Sequence, residues 1–197
     1  MSLSKRADIE PVDRRSLENP LPRVPYLPID LTEPADIVAP IRKRRGGTLF
    51  EPDRVVLHAP QFARGWNAIA QAVRHEMSLS AKLRELAICA VGMLNHAEYE
   101  VEKHAPEFYK AGGKPEQIAA LADVPAAIRN VALFDAAERA TLQLSLEMTR
   151  DVEVTDATFA AVKAMLPSNQ QVVELVGTVG FYNMISRVLV ALHIEKE

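Results

Sequence analysis

Apolar residues recur along most of this chain at three- and four-residue intervals, the spacing of one helix face. No pair of segments alternates apolar and polar residues as half-buried strands would. Thr32 caps a predicted helix that runs through Arg45 and is closed by Gly46-Gly47. A short helix follows Pro52 and reaches His58. Pro60 opens a helix to about Glu76, with Phe62, Trp66, Ile69, Ala70 and Val73 on one stripe. Ser80 caps the next helix, to Leu94. Asn95 caps another, to Ala111, and Gly112-Gly113 stops it.

The second half reads the same way. Lys114 to Ala122 is a short helix, and one more helical turn follows Asp123 and Pro125. Leu133 to Thr149 is amphipathic, with Phe134, Ala137, Leu142, Leu144, Leu146 and Met148 opposed to Asp135, Glu138, Arg139 and Glu147. Thr155 caps a helix to Met165. Ser168-Asn169-Gln170-Gln171 forms a capping box before a helix to Leu192 that is apolar on most of its surface. Such a helix belongs in a core or between subunits. The predicted fold class is therefore all-α, a bundle of about eight to ten helices. Residues 32–197 form one domain, and residues 1–31 form a proline-rich extended arm. The arm carries Leu21, Val24, Tyr26, Leu27, Ile29 and Leu31, so it is expected to pack on its own domain or on a partner subunit.

Composition narrows the function classes. The 197 residues include 48% hydrophobic and 25% charged residues, with a formal net charge of -3. This balance points to neither a nucleic-acid groove nor an anionic membrane surface. The basic run Arg42-Lys43-Arg44-Arg45 reads as the last turn of a helix, where cations suit the dipole. Cys89 is the only cysteine, which excludes an intramolecular disulfide and fits a reducing, cytoplasmic location. The N-terminus lacks the apolar core of a signal peptide, and no run of about 18 uncharged apolar residues predicts a membrane span.

Candidate chemistry concentrates between Lys82 and Gly113. His104 falls in the apolar half of its helix, with Ala97, Val101, Ala105 and Phe108. Glu100 lies one turn earlier on the same stripe, within reach of the imidazole. A carboxylate there would orient the histidine for acid–base work. The preceding helix is apolar nearly all round, and Glu85 is its inward carboxylate. In an antiparallel hairpin Glu85 and His104 lie at similar depth, so Glu85, Glu100 and His104 form one candidate cluster. His96, Glu100 and His104 form an i, i+4, i+8 series that is also a candidate metal edge. Cys89 reads as a buried core residue. Arg187 and Asn183 on the last helix are candidates for gripping an anionic substrate. Arg187 is equally open to pairing with Glu174 or Glu85.

These residues carry a resemblance. The stretch RELAICAVGMLNHAEYEVEKHAPEFYKAGG is similar to the core of the carboxymuconolactone decarboxylase / alkyl hydroperoxidase D superfamily. Phe181-Tyr182-Asn183-Met184-Ile185-Ser186-Arg187 and His58-Ala59-Pro60 resemble further parts of it, and the similarity spans about residues 50–192. The resemblance implies an alkyl hydroperoxidase D-like helical bundle. It also implies a homo-oligomer, a trimer or hexamer, with sites near subunit interfaces. Redox members carry Cys-x-x-Cys before the shared histidine, and those positions align with Ala97 and Glu100 here. Peroxide reduction needs an attacking and a resolving thiol, so dithiol peroxidase activity is not expected.

The acid–base half of the motif remains. By resemblance to the decarboxylase branch, no cofactor is expected, and His104 is the proton donor or acceptor. Glu100 is its orienter, Glu85 a second relay carboxylate, Arg187 a carboxylate clamp, and Asn183 and Tyr99 further substrate contacts. The expected function is cofactor-independent decarboxylation, isomerisation or hydrolysis of a small organic acid or lactone. Two other readings stand beside it. One is a peroxidase-related member that has lost its chemistry and serves in binding or assembly. The other is a metal-dependent enzyme using His96, Glu100 and His104.

Overall fold

The computed structural model describes residues 22–195. The first part of the predicted arm, through Leu21, lies outside the described residues. The rest is helical, with no strand among the described residues. In chain order the helices are α1 (Ala35–Arg44), α2 (Glu51–Val56), α3 (Pro60–Gln71), α4 (Ala81–Leu94), α5 (Glu98–Lys110), α6 (Pro115–Ala120), α7 (Val124–Arg129), α8 (Ala136–Arg150), α9 (Asp156–Met165) and α10 (Asn169–Leu192). A π-helical turn, Ala72–Glu76, extends α3, and a single 3₁₀ turn, Leu121–Asp123, joins α6 to α7.

Helix α4 is the axis of the molecule, packed against α5, α8 and α10. Its lack of a polar face follows from this position. Leu83, Ala87, Ile88 and Val91 join a core with Leu144 of α8 and Leu175, Val179 and Tyr182 of α10. Leu86, Cys89 and Ala90 join a second core with Phe108, Leu121, Phe134 and Leu142. A carboxylate inserted into such a helix, Glu85, must find partners inside the protein.

Local chemistry sets the helix ends. Asp135 accepts a hydrogen bond from the Glu138 amide at 2.8 Å while Glu138 accepts from the Asp135 amide, so α8 starts at Ala136, three residues after the predicted Leu133. Thr155 and Ser168 cap α9 and α10 as expected. Thr32 does not cap α1: Pro34 holds the capping position, and the helix begins at Ala35. Asn95 likewise does not start α5. The chain turns through His96 at φ 55° and enters the helix at Glu98. Gly92 permits this tight entry, because a Cβ there would lie 3.0 Å from Val101 Cγ2 and 3.4 Å from the Ala97 carbonyl oxygen.

Helix α10 is long and apolar enough to cross a membrane by length and composition alone. Here half of that stretch is buried within the fold, against α4, α8 and α9. The described part of the arm packs on its own domain. The Arg23 amide donates to Leu192 O at 2.9 Å, and Leu27 exchanges hydrogen bonds with Arg54 of α2.

Candidate active site

The α4–α5 hairpin brings Glu85 and His104 together. Glu85 Oε2 lies 2.6 Å from His104 Nδ1, and both side chains are buried. A carboxylate only accepts, so Nδ1 carries the proton in this bond. Glu85 Oε1 accepts from Arg84 Nε at 3.0 Å. Burial alone would raise the Glu85 carboxyl, but the hydrogen bond from His104, with that of Arg84 and its charge, outweighs it and holds Glu85 below the ordinary carboxylate range.

The other imidazole nitrogen is also engaged. Arg74 Nη2 lies 2.9 Å from His104 Nε2, and the Tyr182 hydroxyl lies 3.2 Å from it. Arg74 only donates, so Nε2 presents its lone pair. Tyr182 accepts from Arg74 Nε at 3.2 Å, which leaves its own proton for Nε2. Every contact is thus met by the neutral tautomer with the proton on Nδ1. Burial pushes the Tyr182 phenol up to about 12, with Glu100 and Glu85 adding to the shift, so it is a proton-bearing donor at neutral pH. For Arg74, burial favours loss of charge, but Tyr182 and Glu100 more than offset it and the guanidinium stays charged.

Glu100 approaches the same nitrogen from α5. Its Oε2 lies 3.4 Å from His104 Nε2, too far for a good hydrogen bond and with no donor proton between them. That oxygen is buried and has no hydrogen-bond partner among the described residues. The two glutamates therefore differ from the expected roles. Glu85 orients His104 at Nδ1, and Glu100 stands on the Nε2 side of the ring, which faces the cleft lining.

That cleft has a volume of about 220 Å³. Tyr99, Glu100, Lys103, His104 and Glu107 of α5 line it, with Trp66 and Ala70 of α3 and Arg74 of the π-helical turn. Arg44, Arg45, Phe50, Pro52 and Ile185 of α10 complete the lining. Arg44 and Arg45 share Asp53, at 3.3 and 2.8 Å. The basic run read as a helix terminus thus reaches into the cleft. Burial and the neighbouring Arg45 charge lower the Arg44 guanidinium to about 10, although Asp53 opposes the shift.

Residues 60–143 match the carboxymuconolactone decarboxylase family. No curated protein matches the chain. The fold is that of alkylhydroperoxidase D-like proteins. An uncharacterized peroxidase-related protein from Silicibacter sp. TM1040 is 20% identical over 90% of each chain, with a TM-score of 0.68. An alkylhydroperoxidase AhpD core protein from Ralstonia eutropha JMP134, also peroxidase-related and uncharacterized, is 20% identical over 91% of this chain and 94% of that one, with a TM-score of 0.71. The debrominase Bmp8, a cysteine-to-alanine variant in complex with 2,3,4-tribromopyrrole, is 12% identical over 87% of this chain and 91% of that one, with a TM-score of 0.70. At such identities the likeness is one of fold.

The matched segment contains Arg74, Glu85, Glu100 and His104, whereas Arg44, Arg45 and Tyr182 lie outside it. Arg74 and Tyr182 escaped the sequence reading. Arg74 had a signal: it continues the Trp66–Ala70 stripe of α3, a charge on an apolar face like His104 on its own. Tyr182 had none, being one aromatic among many apolar residues of α10.

The remaining candidates fall elsewhere. Tyr99 lines the cleft, and its hydroxyl donates to Glu51 Oε2 at 2.8 Å. Burial and Glu51 raise its pKa. Asn183 and Arg187 do not line the cleft. Asn183 Nδ2 donates to Thr149 Oγ1 at 2.9 Å, and Arg187 Nη1 donates to Asn183 Oδ1 at 2.6 Å. These bonds tie α10 to α8, so the pair works as structure, and Arg187 pairs with neither Glu174 nor Glu85. His96 is exposed in the turn before α5, which breaks the series with Glu100 and His104. No group of three His, Cys, Asp or Glu among the described residues is placed to hold a metal ion. Cys89 is fully buried, and burial with Glu85 and Glu100 nearby pushes its thiol up, away from the reactive thiolate.

Proposed function

We propose that this chain catalyses proton transfer on a small organic molecule, with Glu100 as the group that takes and returns the proton. One observation carries the reading. Glu100 Oε2 is a buried acceptor with no donor beside His104, and Glu100 lines the cleft. A buried polar atom without a partner is costly, so a site keeps one where a ligand supplies the missing donor. His104 Nε2 is already filled by Arg74 and Tyr182, so Glu100 is the better placed acceptor for an acidic C–H or O–H.

The other groups hold a cation in place beside this acceptor. Glu85 fixes the imidazole, and the imidazole with Tyr182 fixes Arg74. The Arg74 charge favours an anion developing on the substrate as the proton leaves. Returning the proton at a second atom gives isomerisation. Delivering it to carbon as carbon dioxide departs gives decarboxylation, and activating water gives lactone hydrolysis. The family match supports this range of chemistry, and the single cysteine of the chain supplies no dithiol couple for peroxide reduction. A chain retained only for assembly would have no need of a cleft lined by an unmet carboxylate.

The test is turnover of a panel of small lactones and unsaturated carboxylic acids, followed by NMR. The wild type is expected to convert at least one, and Glu100→Gln to lose about 10²–10⁴ of kcat. No conversion of any member, or a Glu100→Gln variant as active as the wild type, contradicts the reading.

A further inference from the structure

We propose that Arg44, Arg45 and Arg74 form an anion subsite, and that Arg44 selects for substrates bearing a carboxylate on a single small ring or short chain. This rests on the cleft being the reaction site, but it adds residues from α1 that lie outside the family-matched segment.

Three guanidinium groups line one cleft. One carboxylate, Asp53, serves both Arg44 and Arg45. Arg74 has no carboxylate within ion-pair distance among the described residues, its partners being His104 and Tyr182. The Arg44 side chain is 2% exposed, so water does little to offset its charge. Its Nε donates to Asn67 at 2.6 Å and its Nη2 to Asp53 at 3.3 Å. Its Nη1 has no partner among the described residues. The charges of Arg45 and Arg74 both act against that of Arg44. A planar anion set among them relieves this repulsion and accepts the unused donors.

The rest of the cleft decides which anion fits. Glu100 and Glu107 also line it, so a second negative charge near His104 is disfavoured, and the ligand is a monoanion. Trp66, Pro52 and Ile185 offer apolar walls. A cavity of about 150 Å³ holds benzene, so 220 Å³ suits one ring with its carboxylate.

Trp66 is the only tryptophan of the chain, and it lines the cleft, so its fluorescence reports occupancy directly. Titrations at neutral pH compare benzoate and crotonate with benzamide and crotonamide. At least one anion is expected to give a saturable change, with its amide at least about tenfold weaker. Arg44→Gln is expected to weaken that anion about tenfold and leave the amide unchanged, and Arg44→Lys to recover only part of the loss. Should Arg44→Gln fail to fold, the wild-type comparison of anion with amide decides alone. Equal binding of anion and amide, or no saturable change with either anion, overturns the subsite whatever the turnover panel shows. Anion-selective binding with Glu100→Gln fully active overturns the proton-transfer reading and leaves the subsite standing.

Discussion

Glu85 and Glu100 flank one imidazole from opposite sides and answer to different surroundings. Glu85 accepts from His104 and Arg84, and these bonds hold it below the ordinary carboxylate range. A folded-state value lower than the unfolded one stabilises the fold above the unfolded value, about 4.3 for glutamate. That contribution is lost as pH falls through the lower, folded value. Urea midpoints measured across this acid range are expected to decline steeply for the wild type and less steeply for Glu85→Gln. Tyr182 gives the opposite readout: with its phenol near 12, it should leave activity flat through the alkaline range below that value. The hairpin geometry of Glu85 and His104 was legible because both depend on counting residues from one turn. Which carboxylate holds the ring was not, since a four-residue spacing puts Glu100 nearby without fixing its rotamer.

The elements were legible wherever a cap or a glycine marked them. Ser168, Thr155 and Gly112-Gly113 gave ends within a residue or so. The start of α5 was missed by two residues, its cap being Ala97 and not Asn95, and the reason is His96. A positive φ at a non-glycine residue is uncommon, and the enrichment of histidine there is too weak a mark to place the turn in advance. That same turn removes His96 from the metal series proposed for it. The far end of α5 is tighter than its glycine pair suggests. A Cβ at Gly113 would lie 2.2 Å from Cε1 of Phe108, whose ring is fully buried. Gly113→Ala is therefore expected to cost about 1–3 kcal/mol through overpacking, seen as a lower midpoint in thermal or urea unfolding. Gly112→Ala acts through its positive φ of 92°, with open space around the added methyl, so the two losses have separate causes.

The whole molecule explains what one stretch of sequence could not show. Arg74, Tyr182, Arg44 and Arg45 come from three helical regions far apart in the chain, and only packing around α4 gathers them at His104. Asp53 of α2 holds the two arginines of the first region. It accepts from Arg44, Arg45 and the Phe50 amide, and is 1% exposed. Asp53→Ala leaves two largely buried cations without a counter-charge and is expected to cost about 3–5 kcal/mol, read from urea unfolding. Asn183 and Arg187 looked like substrate residues because they interrupt an apolar helix. The packing of α10 on α8 shows them meeting each other and Thr149 instead. The central claim is that Glu100 moves the proton, and isotope exchange tests it most directly. A substrate from the turnover panel is incubated in D₂O, and deuterium at its acidic carbon is followed by NMR. Wild type is predicted to exchange it, with Glu100→Gln slower by about 10²-fold or more. Exchange by Glu100→Gln at the wild-type rate would contradict the account.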